Sequence, residues 1–184
     1  MSKINGNISI AAEDLNLTET SVLDDKKGNI SITNNATQNA NSTMTLAGNV
    51  KAQEGSIEIT NNGKTANLGG TISDEKGDIT ILNNKGDMTI SAAIAHDLVN
   101  TTSNGMISIT NAENAGKLDI KSAIQTYGAG KTVTDGTTET LMAILIDNQS
   151  TTSGLNLDNS TISARLGDIV IKNASKVEQS LIWE

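Results

Sequence analysis

One eight-residue phrase constrains this chain more than anything else in it. Residues 77–84 read Gly-Asp-Ile-Thr-Ile-Leu-Asn-Asn, and variants recur from end to end. Gly28-Asn29-Ile30-Ser31-Ile32-Thr33-Asn34-Asn35 is one, and Gly55-Ser56-Ile57-Glu58-Ile59-Thr60-Asn61-Asn62 is another. Residues 105–111 and 167–173 repeat it again. Residues 6–10 open the series without the asparagine, and residues 142–148 carry a version without the glycine. Such self-similarity belongs to stacked architectures, in which each unit buries its apolar face only against its neighbours.

The steps between successive phrases are 22, 27, 22, 28, 37 and 25 residues, counted from Gly6, Gly28, Gly55, Gly77, Gly105 and Met142 to Gly167. A unit of about 22 residues with insertions of variable length accounts for all of them. Each unit also carries a second apolar pair and then a lone aliphatic residue. Met44/Leu46 with Val50, Met88/Ile90 with Ile94, and Leu118/Ile120 with Ile124 show the order. Leu15/Leu17 with Val22 and Leu155/Leu157 with Ile162 are one residue looser, and Ala66/Leu68 with Ile72 is the weakest copy. Strict alternation marks half-buried strands. Three short strands per unit, separated by Asn/Gly corners, cannot bury one face each in a flat sheet. Coiled into a prism, they place every inward aliphatic on one axis. The expected fold is all-β: a parallel β-helix (β-solenoid) of about seven coils, six full and one partial, forming a rod roughly 30 Å long at about 4.8 Å per coil.

The asparagine closing each phrase falls at Asn34, Asn61, Asn83, Asn111, Asn148 and Asn173. One per coil, these side chains should stack into a ladder of amide hydrogen bonds. The leading glycines are expected to supply left-handed corner conformations. Departures from the repeat are where function is most readily grafted. They are residues 35–43, residues 96–104, and the longest, a loop at 126–140 with the only tyrosine. Within it Tyr127, Lys131 and Asp135 are the candidate binding residues. Residues 174–184, with Leu181, Ile182 and Trp183, break register and read as an irregular cap. The whole of 1–184 reads as a single β-helix segment of a longer protein.

Composition narrows the chemistry. The chain has 184 residues, 1% aromatics and no Phe, Pro or Cys, so its core must be aliphatic. A net charge of −8 argues against nucleic-acid or anionic-membrane surfaces. No apolar run is long enough to span a bilayer as a helix. No catalytic constellation is visible, and the chain reads as a non-enzyme without cofactor or metal. The single histidine, His96, reads as an exposed corner residue. Asp24-Asp25 and Asp74-Glu75, each followed by lysine, read as solvated turn charges. Gly128-Ala129-Gly130-Lys131-Thr132 lacks the full phosphate-loop spacing. The Asn-x-Ser/Thr triplets at Asn16, Asn35, Asn41, Asn100, Asn148 and Asn159 are what an Asn-, Ser- and Thr-rich chain produces by chance. Outward positions of the first strand (Ser31, Glu58, Thr80, Ser108, Leu145, Val170) lack the flat threonine ranks of an ice-binding face.

The Gly-[Asn/Asp/Ser]-Ile-x-Ile-x-Asn-Asn repeat, carried by Ile30/Ile32, Ile57/Ile59 and Ile79/Ile81, resembles the rod regions of filamentous-haemagglutinin-like exoproteins. These are the large adhesins exported by two-partner secretion in Gram-negative bacteria. The resemblance implies a right-handed parallel β-helix at the cell surface or secreted, serving adhesion or display of corner loops to a host glycan or extracellular protein. It carries no functional residue over to a numbered position, and the family's amino-terminal secretion domain is not recognisable. Two other readings are a carbohydrate-active β-helix of the polysaccharide lyase or hydrolase kind, which needs carboxylates converging on one outer face, and a passive spacer. Exposed end strands favour end-to-end self-association.

Overall fold

A computed structural model describes residues 6–36, 39, 41–99, 103–135 and 138–176. Among these residues every regular element is a strand. The first coil runs through β1 (Ile8–Ala12), β2 (Leu15–Leu17) and β3 (Val22–Asp25), and the second through β4 (Ile30–Asn34), β5 (Thr43–Leu46) and β6 (Asn49–Ala52). The third comprises β7 (Ile57–Asn61), β8 (Thr65–Leu68) and β9 (Thr71–Asp74). The fourth comprises β10 (Ile79–Asn83), β11 (Gly86–Ile90) and β12 (Ala93–His96). The fifth holds β13 (Ile107–Asn111), β14 (Ala115–Ile120) and β15 (Ala123–Thr126). An added strand β16 (Lys131–Asp135) then leads into the sixth, with β17 (Thr138–Asn148), β18 (Leu155–Asn156) and β19 (Thr161–Ala164). β20 (Asp168–Asn173) begins a seventh.

Within the coils each strand pairs in parallel with its equivalent one coil on, which gives three parallel sheets and a parallel β-helix. Register follows the repeat. Ile8, Ile30, Ile57, Ile79, Ile107, Ile144 and Ile169 form one column of the first sheet, and Ile10 to Ile171 form another. Up to Ile144 and Ile146 these columns join Met44, Leu46, Ile72, Met88, Ile94, Leu118 and Ile124 in one continuous aliphatic core. Aliphatic side chains suffice because the prism is narrow, and each column meets its own kind above and below. The weak copy at Ala66 keeps register between Met44 and Met88, so two methionines flank a small core residue. Flexible Met side chains are suited to filling the room it leaves. At the carboxyl-terminal end the columns open, and Ile169 and Ile171 are 40% and 44% exposed.

Two local expectations are corrected. In the first coil the inward residue of the third strand is Leu23, in register with Val50, while Val22 is 42% exposed. The looser spacing there moved the turn, not the phase. The leading glycines serve close main-chain approach more than left-handed geometry. A Cβ on Gly28, Gly55, Gly77 or Gly105 would collide with the main chain of the preceding glycine of that column, and of the five Gly28, Gly55, Gly77, Gly105 and Gly167 only Gly167 has positive φ, at 72°.

The long insertion is not a loop throughout. Lys131–Asp135 and the start of β17 form an antiparallel hairpin, Lys131 opposite Met142 and Asp135 opposite Thr138, which extends the first sheet beyond the prism. The predicted cap at 174–184 falls outside the described residues from 177 onward.

Candidate functional site

The predicted asparagine ladder is present. Asn61 Nδ2 donates to Asn83 Oδ1 at 2.8 Å, Asn83 to Asn111 at 2.7 Å, Asn111 to Asn148 at 2.7 Å, and Asn148 to Asn173 at 2.7 Å. Each of the first four also donates to a carbonyl of its own or the next corner: Lys85, Gly86, Gly116 and Ser153 in turn. Asn34 stands in register but outside the ladder. Its Oδ1 accepts from Ser42 in the 35–43 insertion, and its buried Nδ2 has no partner. Asn148, which also begins an Asn-Gln-Ser triplet, is buried in the ladder.

A second ladder went unread in the sequence. The residue before each first isoleucine accepts, through its side-chain oxygen, the main-chain N–H of its counterpart one coil on. Asn7 takes Asn29 N–H, Asn29 takes Ser56, Ser56 takes Asp78, and Asp78 takes Met106, all at 2.8–3.0 Å. This explains the Asn/Asp/Ser preference at that position: each has a short side chain with an acceptor. The ladder ends at Met106, which has no such acceptor, beside the hairpin. There Asp78 instead uses its other oxygen to hold Lys131 in an ion pair.

The two longest insertions on the third corner, 97–106 and 127–143, leave from adjacent coils and are joined by buried polar groups. His96 is wholly buried (0% exposed), contrary to the exposed corner position expected. It is the last residue of β12 and points inward, two residues after Ile94. Its Nδ1 lies 2.8 Å from Thr126 Oγ1 and its Nε2 3.2 Å from Ser103 Oγ. Thr126 Oγ1 also accepts the Gly128 N–H at 3.1 Å. The ring thus bridges the Thr126 and Ser103 hydroxyls. Through this pair the two insertions are joined by a buried clasp. Burial holds the His96 pKa below its ordinary value, although the Asp97 and Asp78 charges pull it upward. The clasp is completed by Ser103 N–H donating to Asp97 Oδ2 at 3.1 Å and Ala129 N–H to Ser103 O at 2.9 Å.

One acid of each pair, Asp25 and Asp74, is likewise more buried than expected. Asp25 and Asp74 occupy the same inward column as His96, with Ala52 between them. Asp25 Oδ1 accepts from Lys27 and Gly28 N–H, and Asp74 Oδ1 from Lys76 N–H, while each Oδ2 is buried without a partner. Desolvation pushes Asp74 up to about 7 despite its main-chain hydrogen bonds.

Of the candidate binding residues, Tyr127 lies partly exposed at the base of the hairpin arm with the Arg165 guanidinium 5.7 Å from its ring centroid, so the only tyrosine and the only arginine meet. Lys131 is held at the arm's base by Asp78. Asp135 closes β16 at the far end of the arm, so the structure does not bring the three to one point. Exposed Leu141 and Leu166 flank the base of the arm. On the outer face of the first sheet a shallow cavity of about 360 Å³ is lined by Ser9, Ser31, Ser56 and Glu58 among others, and holds one carboxylate. Among the described residues no three His, Asp or Glu side chains are grouped to hold a metal ion, and no helix is long and apolar enough to cross a membrane.

No protein-family model, curated protein or solved structure matches the chain.

Proposed function

We propose that this chain is a structural and adhesive rod segment of a bacterial surface or secreted exoprotein, of the filamentous-haemagglutinin-like kind its repeat resembles. The rod holds corner insertions away from the cell for a host glycan or extracellular protein. The observation that carries this reading is the third corner. Two insertions on neighbouring coils are fixed to each other by the His96–Thr126–Ser103 clasp and to the rod by Lys131–Asp78. A binding edge gains affinity from such preorganisation, whereas a plain spacer has no use for it. Tyr127 with Arg165 offers an amphipathic stacking surface at its base.

A carbohydrate-active enzyme would require clustered carboxylates on an outer face, and the cavity over the first sheet offers Glu58 alone. The experiment is a glycan and extracellular-matrix array probed with the intact chain and with a variant in which residues 127–140 are replaced by a Gly-Ser linker. Binding by the intact chain that the variant loses supports the adhesive reading and locates it. Equal binding by both proteins places the contact elsewhere on the rod and overturns the loop as its site, and absence of binding by both favours a spacer.

A further inference from the structure

We propose that Asn104 is a self-modifying position, at which the Gly105 amide nitrogen attacks the Asn104 side-chain carbonyl and closes a succinimide. The N–Cγ bond forms, the Cγ–Nδ2 bond breaks, and ammonia departs with the Gly105 amide proton. Water then adds to either imide carbonyl and opens the ring to aspartate or isoaspartate. Oxidation states do not change, and water is the only co-reactant.

The reaction needs a side-chain amide free to turn, an uncommitted N–H on the next residue, and no side chain there to obstruct the approach. The sequence has three Asn-Gly pairs, at 5–6, 62–63 and 104–105. Asn5 lies outside the described residues. At 62–63 both partners are tied down. Asn62 Nδ2 donates to Asn34 O at 2.9 Å, its Oδ1 accepts from Asn84 at 3.0 Å, and the Gly63 N–H donates to Asn61 Oδ1 at 3.1 Å. Attack there requires breaking all three bonds. At 104–105 the Asn104 side chain is exposed, lies in a stretch without regular structure, and forms no hydrogen bond among the described residues. The Gly105 N–H is also uncommitted.

Glycine cannot be replaced at 105 to avoid this chemistry. A Cβ there would collide with the Gly77 carbonyl and crowd His96 Nε2. The same packing gives the product consequences. Isoaspartate lengthens the main chain by one carbon beside a glycine whose Cα packs closely on the Gly77 carbonyl. Either product adds a carboxylate to a corner where Asp97 and Asp78 already face His96.

The test incubates the full folded chain in mildly alkaline heavy-oxygen water and maps incorporation by peptide mass spectrometry. Label should accumulate at residue 104 about tenfold or more faster than at residue 62, because hydrogen bonds restrain only the latter. In denaturant the two sites should label alike, and Asn104→Gln should abolish label at 104 while sparing 62. Equal rates at 62 and 104 in the folded chain would overturn the proposal. So would label at both sites in denaturant with none at 104 in the folded chain.

Discussion

Asn111 sits mid-ladder, accepting from Asn83 and donating both to Asn148 and to the Gly116 carbonyl. Truncating it to alanine strands buried groups on both neighbours, and a buried polar group left unpaired costs about 1–3 kcal/mol. Asn111→Ala should therefore lower stability by about 3 kcal/mol, read as a shift in denaturation midpoint. Asn34→Ala should cost visibly less, since the Asn34 Nδ2 already lacks a partner. Equal losses would mean that the amide-to-amide bonds contribute little. Asp74 gives the residue-scale pH dependence. Its pKa stands at about 7 in the fold against 3.8 for the free group, so the folded chain binds the extra proton between those values. This contribution is fully present below pH 3.8 and is lost as pH rises to and through 7. His96 acts with the opposite sign: its lowered pKa makes stability fall as pH drops below 6.5. Thermal melts across pH should show Asp74→Asn removing the decline toward neutral pH, and a variant whose decline is unchanged would exclude Asp74 as its source.

At the scale of the strand, Thr45 lies outward at the centre of β5, between Asn16 and Asn67 of the neighbouring coils. Proline there removes a ladder hydrogen bond from an interior strand. Thr45→Pro should lower the melting temperature, by a loss on the order of 3 kcal/mol, and an unchanged melt would contradict the pairing. The first and second strands were legible because each carries two aliphatics in alternation, and the lone aliphatic of the third placed it in every coil but the first, where Leu23 rather than Val22 faces inward. What stayed hidden was that strand's second inward position. It is occupied by Asp25, Ala52, Asp74, His96, Thr126 and Ala164, a column with no common chemistry, so hydrophobic periodicity passes over it. Counting two residues on from each lone aliphatic would have found His96 inside. The hairpin was obscured for a different reason. Lys-Thr-Val-Thr-Asp alternates weakly, and its partner runs without a break into the next coil's Ile-Leu-Ile.

For the molecule as a whole, the exposed Ile169 and Ile171 leave an apolar strand edge in the last coil. Sedimentation at rising concentration should reveal association that Ile171→Lys suppresses, and a monomer at all concentrations would rule that edge out as a contact. The coil-by-coil pairing also has a mechanical consequence. Each strand bonds chiefly to the coils on either side, so a pull on the chain's ends loads one turn of the prism at a time, as a thread leaves a spool. Every 22-residue turn that yields frees about 75 Å of extended chain, and the turn of 37 residues frees about 130 Å. A segment built this way would lengthen in discrete steps under tension, dissipating work at each, while the turns still wound kept their shape.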